Sequence, residues 1–346
     1  MSPVLRRMMF ATAVVAAVAV LVEVAARFAE PGLSARTLPL PLPSRTRDPA
    51  FEAALAEARR DSGGAVPLVL DESAGWTLPP NRTERYGETV MRFNALGMRG
   101  PDWGPAAAGS VRILTLGDSS IMGLGVMEDQ VFSSVAATAL STTWGVPVEA
   151  VIGGIPGHTS AQALELQGRV QARLAPQWVV LGCLWSDLVR QGLAPRITPP
   201  SRWATYRVGV LLLSPWLTAR KVKFLDQKGD VGDLGDESSR VGLREYRRNL
   251  LLLAERAKAG GARPAFLLLP APMDLDAAVP PETVVAYRAT MRSVAAELGA
   301  PLVDGEALVD ARSATLAWWD DQVHPSALGH KELGVALAEA LAPHRP

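Results

Sequence analysis

The sequence predicts an α/β domain with a parallel β-sheet, and two observations carry this prediction. Short apolar runs recur along the C-terminal two thirds of the 346-residue chain, and segments of helical periodicity separate them. The first run, residues 111–116, is apolar or β-branched at five of six positions and stops at Gly117, as expected of a strand covered on both faces. Hydrophobic residues make up 48% of the chain, which is enough for a sizeable core.

The N-terminus has the composition of an export signal or a membrane anchor. Arg6 and Arg7 precede an apolar stretch over residues 8–26 that Glu23 interrupts. About 19 residues of helix can cross a bilayer, and the paired arginines favour a cytoplasmic N-terminus. The sequence therefore predicts an anchor or signal over residues 1–28, single-pass in a cell inner membrane, with the remaining chain on the extracytoplasmic (periplasmic) side. Cleavage stays open, although no stretch is a convincing cleavage site.

Two segments are predicted between this anchor and the sheet domain. Residues 29–49 carry five prolines and several arginines, which predicts an extended linker. Residues 50–109 are predicted to form a small accessory subdomain. Within it, residues 50–60 have good helix propensity, and residues 66–102 combine alternating apolar positions with Asn and Gly turn signals, which is typical of β structure.

Residues 110–346 are predicted to hold the sheet domain. In chain order, the predicted strands cover residues 111–116, 148–152, 178–181, 265–269 and 301–303, and the predicted helices cover residues 131–143, 160–173, 243–258, 281–298 and 326–341. Strands that alternate with helices favour a parallel sheet. An insertion at about residues 188–241 breaks the alternation. Its aromatic and basic residues fit either a helix packed on the sheet or an interfacial helix at a membrane.

Charge and cysteine content narrow the classes of partner. The 35 basic and 35 acidic side chains cancel, so no nucleic-acid partner is expected. An acidic run over residues 226–237 lacks the spacing of a calcium loop, and we expect neither a metal nor a cofactor. Cys183 is the single cysteine and lies in an apolar run, which predicts a buried hydrophobe rather than a nucleophile.

Ser119 is the first candidate for chemistry, because it directly follows the strand that ends at Gly117. In open α/β sheets, ligands bind at the carboxyl ends of the strands. Asp118, Ser119 and Ser120 are also favoured helix N-caps, so a purely structural role is the alternative. A serine becomes a nucleophile only when a base takes its proton.

His324 is the candidate base among four histidines, because Asp321 stands three residues before it. A carboxylate on the same turn can reach the other ring nitrogen, fix the tautomer and stabilise the imidazolium. A surface histidine with chance acidic neighbours is the alternative. His158 and His330 more readily fit structural roles, and His344 lies in the terminal tail.

Acyl chemistry also requires donors for a developing oxyanion, and these are typically backbone N–H groups in a glycine-rich turn. Residues 153–160 form such a turn after the second predicted strand, which brings Gly157 to the same sheet edge as Ser119. An ordinary strand-to-helix loop that uses Gly and Pro as punctuation is the alternative.

Together these pieces resemble the SGNH, or GDSL-type, serine hydrolase family over about residues 111–342. Residues 117–120 match its nucleophile motif, Gly157 falls on its oxyanion glycine, and residues 321–324 match its closing Asp-x-x-His. Residues 94–100 and 123–126 are similar to a membrane-anchored bacterial subgroup. The resemblance implies a three-layer α/β/α, flavodoxin-like fold with a five-stranded parallel sheet, an acyl-enzyme and no metal.

The resemblance also implies a role for each site residue. Ser119 would be the nucleophile, His324 the general base and then acid, and Asp321 the group that orients His324. The N–H groups of Ser119 and Gly157 would hold the oxyanion. The family asparagine that adds a side-chain donor is replaced here by Ser186, whose hydroxyl is shorter and reaches the oxyanion only if the loop comes closer or through a water.

The predicted function is that of a membrane-anchored extracytoplasmic serine esterase or O-acyltransferase that acts on an acylated glycan or lipid. The alternative is a weakened or inactive member of the family that binds envelope glycan or assembles with envelope machinery. Ser186 is the main support for that alternative, because the loss of one oxyanion donor costs about 100- to 1000-fold in rate.

Overall fold

The computed structural model describes residues 3–34, 66, 68–71, 73–86, 89–188, 205, 239–275, 280–321 and 323–346. The predicted helix over residues 50–60 lies outside these ranges. So do most of the predicted linker and nearly all of the predicted insertion.

Five parallel strands form the central sheet. In chain order they are β5 (Val111–Gly117), β6 (Val148–Gly154), β7 (Trp178–Gly182), β8 (Arg263–Leu268) and β9 (Leu302–Asp304), which follow four shorter strands described below. Their order across the sheet is β6-β5-β7-β8-β9, which puts β5 and β7 in the interior. Every residue of β5 and β7 is buried, which is why both strands are mostly apolar in sequence, with Arg112 and Thr115 as the polar residues of β5. The predicted sheet is confirmed.

Helices cover both faces of this sheet, as the predicted three-layer fold requires. The long helices are α3 (Phe132–Trp144), α4 (Ser160–Leu174), α6 (Leu243–Ala259), α7 (Glu282–Leu298) and α9 (Ala327–Leu341), and the short ones are α2 (Ser119–Met122), α5 (Trp185–Leu188) and α8 (Gly305–Ala311). Helices α3 and α9 pack together on one face, and α4, α6 and α7 pack in sequence on the other. Because all five strands are parallel, their carboxyl ends lie at the same edge of the sheet.

The register of the strands brings three predicted site segments to that edge. Gly117 at the end of β5 pairs with Gly154 at the end of β6 and with Gly182 at the end of β7. The loops that follow these glycines therefore begin level with each other. A Cβ atom on Gly154 would lie only 2.2 Å from the Met122 backbone nitrogen. Only glycine at position 154 therefore lets the end of β6 lie this close to the nucleophile turn, which we define as residues 117–122.

The region before the sheet holds two small antiparallel hairpins, in agreement with the β structure predicted for residues 66–102. They consist of β1 (Val69–Asp71) with β2 (Gly75–Thr77), and of β3 (Arg82–Tyr86) with β4 (Thr89–Phe93). An isolated bridge between Arg99 and Ile152 ties the residues after β4 to strand β6. The subdomain is therefore joined to the sheet edge that bears the site.

Helix α1 (Pro3–Ser34) covers the predicted N-terminal anchor. It continues beyond the predicted boundary, so residues 29–34 of the predicted linker are helical. Several of its apolar side chains are exposed, among them Val15 at 69%, Leu21 at 67% and Phe28 at 83%. In the part of the chain that the structure describes, no helix is both long and apolar enough to cross a membrane.

Candidate active site

Ser119 lies on a sharp strand-to-helix turn at the centre of the sheet edge. Strand β5 ends at Gly117, and Asp118 is the N-cap of α2 in an extended conformation. The Asp118 carboxylate accepts a hydrogen bond from the Ser120 N–H at 3.0 Å. Helix α2 starts with Ser119, so its hydroxyl stands at the carboxyl end of a buried strand, as predicted. The alternative capping role is real as well, but Asp118 performs it and Ser119 does not.

The imidazole of His324 lies directly against Ser119, although the two residues are 205 positions apart. The Ser119 hydroxyl donates to Nε2 of His324 across 2.7 Å. On the other side of the ring, Nδ1 lies 2.6 Å from Oδ2 of Asp321, so Nδ1 carries the hydrogen and Nε2 is free to accept. Two consecutive hydrogen bonds thus connect a serine, a base and a carboxylate that orients the base.

The turn that carries Asp321 holds its carboxylate in a fixed direction. Oδ1 accepts two backbone N–H groups, from Val323 and His324, both at 2.9 Å. The other oxygen, Oδ2, therefore has a single orientation toward the imidazole. This local hydrogen bonding explains why the Asp-x-x-His spacing brings the two side chains together.

The surroundings of this pair set its protonation. Burial favours the neutral imidazole, but the carboxylates of Asp321, Asp118 and Asp320 outweigh it and raise the pKa of His324 above 6.5. Burial also opposes the charge on Asp321, yet His324 and the two N–H donors lower the pKa of that carboxyl well below its usual range. Asp321 is thus ionised whenever His324 has to act as a base.

The loop after β6, residues 155–159, is named here the glycine loop, and it lies beside the nucleophile turn that carries Ser119. The N–H of Ile155 donates to the Gly117 carbonyl at 3.1 Å, which ties the loop to the end of β5. Gly157 has a φ of +75°, a conformation that side-chain-bearing residues rarely adopt. The structure therefore brings Gly157 to the same edge as Ser119, as the sequence predicts.

Ser186 also lies at this edge and is buried, but its contacts differ from the predicted ones. Its N–H donates to Oδ2 of Asp118 at 3.2 Å, and its side chain helps to lower the pKa of the same carboxyl against the effect of burial. A hydroxyl has one hydrogen to donate, so donation toward Asp118 competes with the predicted donation to an oxyanion. Asp118 is fully buried, which raises the pKa of its carboxyl. The Ser186 contacts stabilise this buried group under the nucleophile turn.

The sequence of the sheet domain matches a known protein family. Residues 115–332, well over half of the chain, match the GDSL-like lipase/acylhydrolase family. The chain belongs to this family. The matched segment begins within β5 and ends within α9, so it contains Ser119, Gly157, Ser186, Asp321 and His324. Comparison with curated proteins gives no match.

Solved structures of a lipase/acylhydrolase and of esterases are similar to the chain at low sequence identity. The lipase/acylhydrolase from Enterococcus faecalis is 15% identical with a TM-score of 0.46, covering 67% of this chain and 96% of that chain. The psychrotrophic esterase EstA from Pseudoalteromonas sp. is 13% identical with a TM-score of 0.44, covering 67% of this chain and 97% of that chain. The acetyl xylan esterase AlAXEase is 14% identical with a TM-score of 0.44, covering 67% of this chain and 100% of that chain.

The other buried histidines of this GDSL-like chain make their hydrogen bonds away from Ser119. His158 contacts the Trp76 carbonyl through Nε2, and the imidazole of His330 faces the Phe132 N–H through Nδ1. Burial lowers the pKa of each to about 3, so both stay neutral and structural. The predicted choice of His324 among the histidines agrees with their placement.

Arg99 is a residue of the site region that the sequence analysis did not single out. Its guanidinium is fully buried and donates to the backbone carbonyls of Met122, Gly123 and Val126, at the end of the nucleophile turn and just after it. Burial lowers the pKa of Arg99 to about 10. The available sequence signal was that Arg99 lies in residues 94–100, a segment that resembles the membrane-anchored subgroup but was given no structural role. Its role is to fix the residues immediately C-terminal to α2.

Proposed function

We propose that the chain is a membrane-anchored extracytoplasmic serine esterase or O-acyltransferase that acts on an acylated glycan or lipid. The observation that carries the proposal is the unbroken hydrogen-bond sequence from the Ser119 hydroxyl through His324 to Asp321, with distances of 2.7 and 2.6 Å. Family membership supports acyl-ester chemistry for this arrangement. The class of substrate follows from the sequence analysis.

The chemistry follows from the direction of each hydrogen bond. Oγ of Ser119 attacks the acyl carbonyl carbon while its proton passes to Nε2 of His324, and Asp321 stabilises the resulting imidazolium. The N–H groups of Ser119 and Gly157 receive the developing oxyanion. His324 then returns the proton to the departing alcohol, leaving an acyl group on Ser119.

Hydrolysis and transfer diverge only after the acyl-enzyme forms. In hydrolysis, His324 removes a proton from a water that attacks the acyl carbon. The bond from that carbon to Oγ of Ser119 then breaks, His324 returns the proton to Oγ, and a free acid leaves. In transfer, a sugar hydroxyl takes the place of water and the product is a new ester. Both routes use the same residues, so they differ only in the acceptor that reaches Ser119.

Turnover measurements test this proposal directly. The purified chain and its Ser119→Ala variant are incubated with p-nitrophenyl acetate and with an O-acetylated glycan, with and without an excess of unacylated sugar. We expect release of acetate by wild type alone, and acylated sugar if transfer operates. A wild-type protein that turns over neither ester, yet binds the glycan, would refute the enzyme and favour the binding protein.

The membrane anchor is the second part of the proposal. The exposed apolar side chains of α1, such as Val15 and Leu21, are unfavourable in water and suit an apolar surrounding. Arg6 and Arg7 favour an N-terminus that stays inside. Alkaline phosphatase fused after residue 60 should be active, and it should lose activity when the apolar residues 8–26 are deleted. A stable but inactive full-length fusion would contradict the topology.

A further inference from the structure

The hairpin β1–β2 contacts the glycine loop on both sides of Gly157. The indole Nε1–H of Trp76, in β2, donates to the Pro156 carbonyl at 2.8 Å. The backbone carbonyl of the same Trp76 lies 2.8 Å from Nε2 of His158. The ring also packs against Gly157, because a Cβ atom built there would lie 3.3 Å from Cζ2 of Trp76. One residue of the hairpin thus contacts three successive residues of the loop.

Arg240 holds the loop from another direction. Its guanidinium donates to the Gly157 carbonyl at 2.7 Å and to Oε1 of Gln162 at 3.2 Å, and its carbon lies 5.6 Å from the centre of the Trp76 ring. Arg240 is 4% exposed, and the carboxylates of Asp187 and Asp118 face its charge. A buried arginine of this kind fixes geometry, since its donors are rigidly spaced.

These contacts act on the peptide group that matters for an oxyanion. The peptide bond between Pro156 and Gly157 is trans and planar, so its C=O and N–H groups point in opposite directions. A hydrogen bond from Trp76 to the Pro156 carbonyl therefore sets the direction of the Gly157 N–H. The bond from Arg240 to the Gly157 carbonyl fixes the next peptide plane in the same way.

The hairpin is attached firmly enough to perform this task. The Gln162 side chain donates to the Ala74 carbonyl at 2.6 Å, and Arg169 forms an ion pair with Asp71. Both Gln162 and Arg169 belong to α4, the helix that follows the glycine loop. The hairpin is therefore tied to the helix that follows the loop as well as to the loop itself. It precedes residue 115, where the match to the hydrolase family begins.

We propose that Trp76 and Arg240 are positioning residues that aim the Gly157 N–H at the oxyanion, so that hairpin β1–β2 is a functional part of the active site. This inference rests on the ester chemistry proposed above. Neither residue touches the reacting atoms. Their effect is on the transition state, where the oxyanion forms, and not on the binding of the ester.

The test compares Trp76→Phe with wild type on an oxoester and on the matching thionoester. Phenylalanine keeps an aromatic ring but lacks the indole donor. A misplacement of about 1 Å costs roughly 100-fold in rate, so we expect kcat for the oxoester to fall about 10- to 100-fold with KM little changed. Sulfur is a weak acceptor, so the thionoester gains little from the Gly157 N–H and its rate should change much less.

A matched control makes the same chemical change away from the loop. The Nε1–H of Trp103 is buried without a hydrogen-bond partner, and its ring lies 5.2 Å from the guanidinium carbon of Arg112 at the start of β5. Trp103→Phe should keep both rates. Arg240→Lys should also lower the oxoester rate. The single nitrogen of lysine cannot replace the two guanidinium nitrogens that donate to the Gly157 carbonyl and to the Gln162 side chain.

Amide hydrogen exchange supplies a measurement that needs no turnover. The N–H groups of Ile155 and His158 are hydrogen-bonded in wild type, and their exchange should accelerate in Trp76→Phe but not in Trp103→Phe. Unchanged exchange together with an unchanged oxoester rate would overturn the inference. An equal loss on both esters would also overturn it, since that indicates general damage. A wild type that is inactive on every ester but shows the exchange effect would refute the proposed function while leaving the positioning role.

Discussion

Replacing Asp321 with asparagine should switch the tautomer of His324 without changing the shape of the site. Oδ1 of Asp321 accepts the N–H groups of Val323 and His324, both at 2.9 Å. The asparagine has to keep its carbonyl oxygen at that position, because its NH₂ group cannot accept these bonds. The NH₂ group then occupies the place of Oδ2, which lies 2.6 Å from Nδ1 of His324.

This orientation forces Nδ1 to accept and moves the imidazole hydrogen to Nε2. Nε2 can then no longer take the Ser119 proton, although it still lies 2.7 Å from the hydroxyl. The same change in a Ser-His-Asp triad lowers kcat about 10⁴-fold, which corresponds to about 5.5 kcal/mol of activation free energy. We expect a similar loss here.

The assay is p-nitrophenyl acetate turnover at a pH on the plateau of the wild-type profile. Asp320→Asn is the matched control, because it is the same chemical change at the adjacent position. The Asp320 carboxylate acts on the His324 imidazole through its charge, and the backbone bond from the Asp320 N–H to the His324 carbonyl at 3.0 Å survives the substitution. The control should lose no more than a few-fold in kcat. If Asp321→Asn keeps a tenth of wild-type kcat, or if Asp320→Asn loses as much, then Asp321 does not orient the base.

Three further outcomes follow from the structure. Since His324 acts as a base only when neutral and its pKa is raised above 6.5, kcat/KM should rise with pH through a midpoint above 6.5. Asp320→Asn removes one of the charges that raise this pKa, so it should move the midpoint down. A midpoint below 6.5 for the wild-type protein would contradict this. Because the Ser186 side chain helps to stabilise the buried Asp118 carboxylate, Ser186→Ala should cost less than about 10-fold in kcat and about 1–3 kcal/mol of unfolding free energy, whereas a 100-fold loss in kcat would restore its predicted oxyanion role. Gly154→Ala should lower the free energy of unfolding by about 1–3 kcal/mol or more, since its Cβ would meet backbone atoms at 2.2 and 2.7 Å, while Gly104→Ala, with no atom within 4 Å, should leave chemical denaturation unchanged.

The strands and long helices could be predicted because their signals are local. Strands β5 and β7 are buried on both faces and are mostly apolar in sequence. Glycines mark several helix ends, and Gly299, the C-cap of α7, is in the left-handed conformation with a φ of +58°. Parallel pairing then brings the strand ends to one edge. This is why the sequence could predict the placement of Ser119 and Gly157.

The contacts that orient the site were not predictable in the same way. Trp76 meets Pro156 across 80 positions of the chain, and Arg240 meets Gly157 across 83. Nothing in the periodicity of either segment specifies such a partner. Ser186 illustrates the same limit, because its position in the motif was predicted but its hydrogen bond to Asp118 depends on where the β5 and β7 loops meet.

The most direct test of the active site is the covalent labelling of Ser119. A fluorophosphonate reacts with a serine that a neighbouring base activates, and peptide mass spectrometry then locates the adduct. Wild-type protein should carry the adduct on the peptide that contains Ser119, and His324→Ala should remain folded but unlabelled. His330→Ala serves as the histidine control and should still be labelled. Folded wild-type protein that stays unlabelled, or that carries the adduct on another serine, would contradict the assignment of Ser119 as the nucleophile.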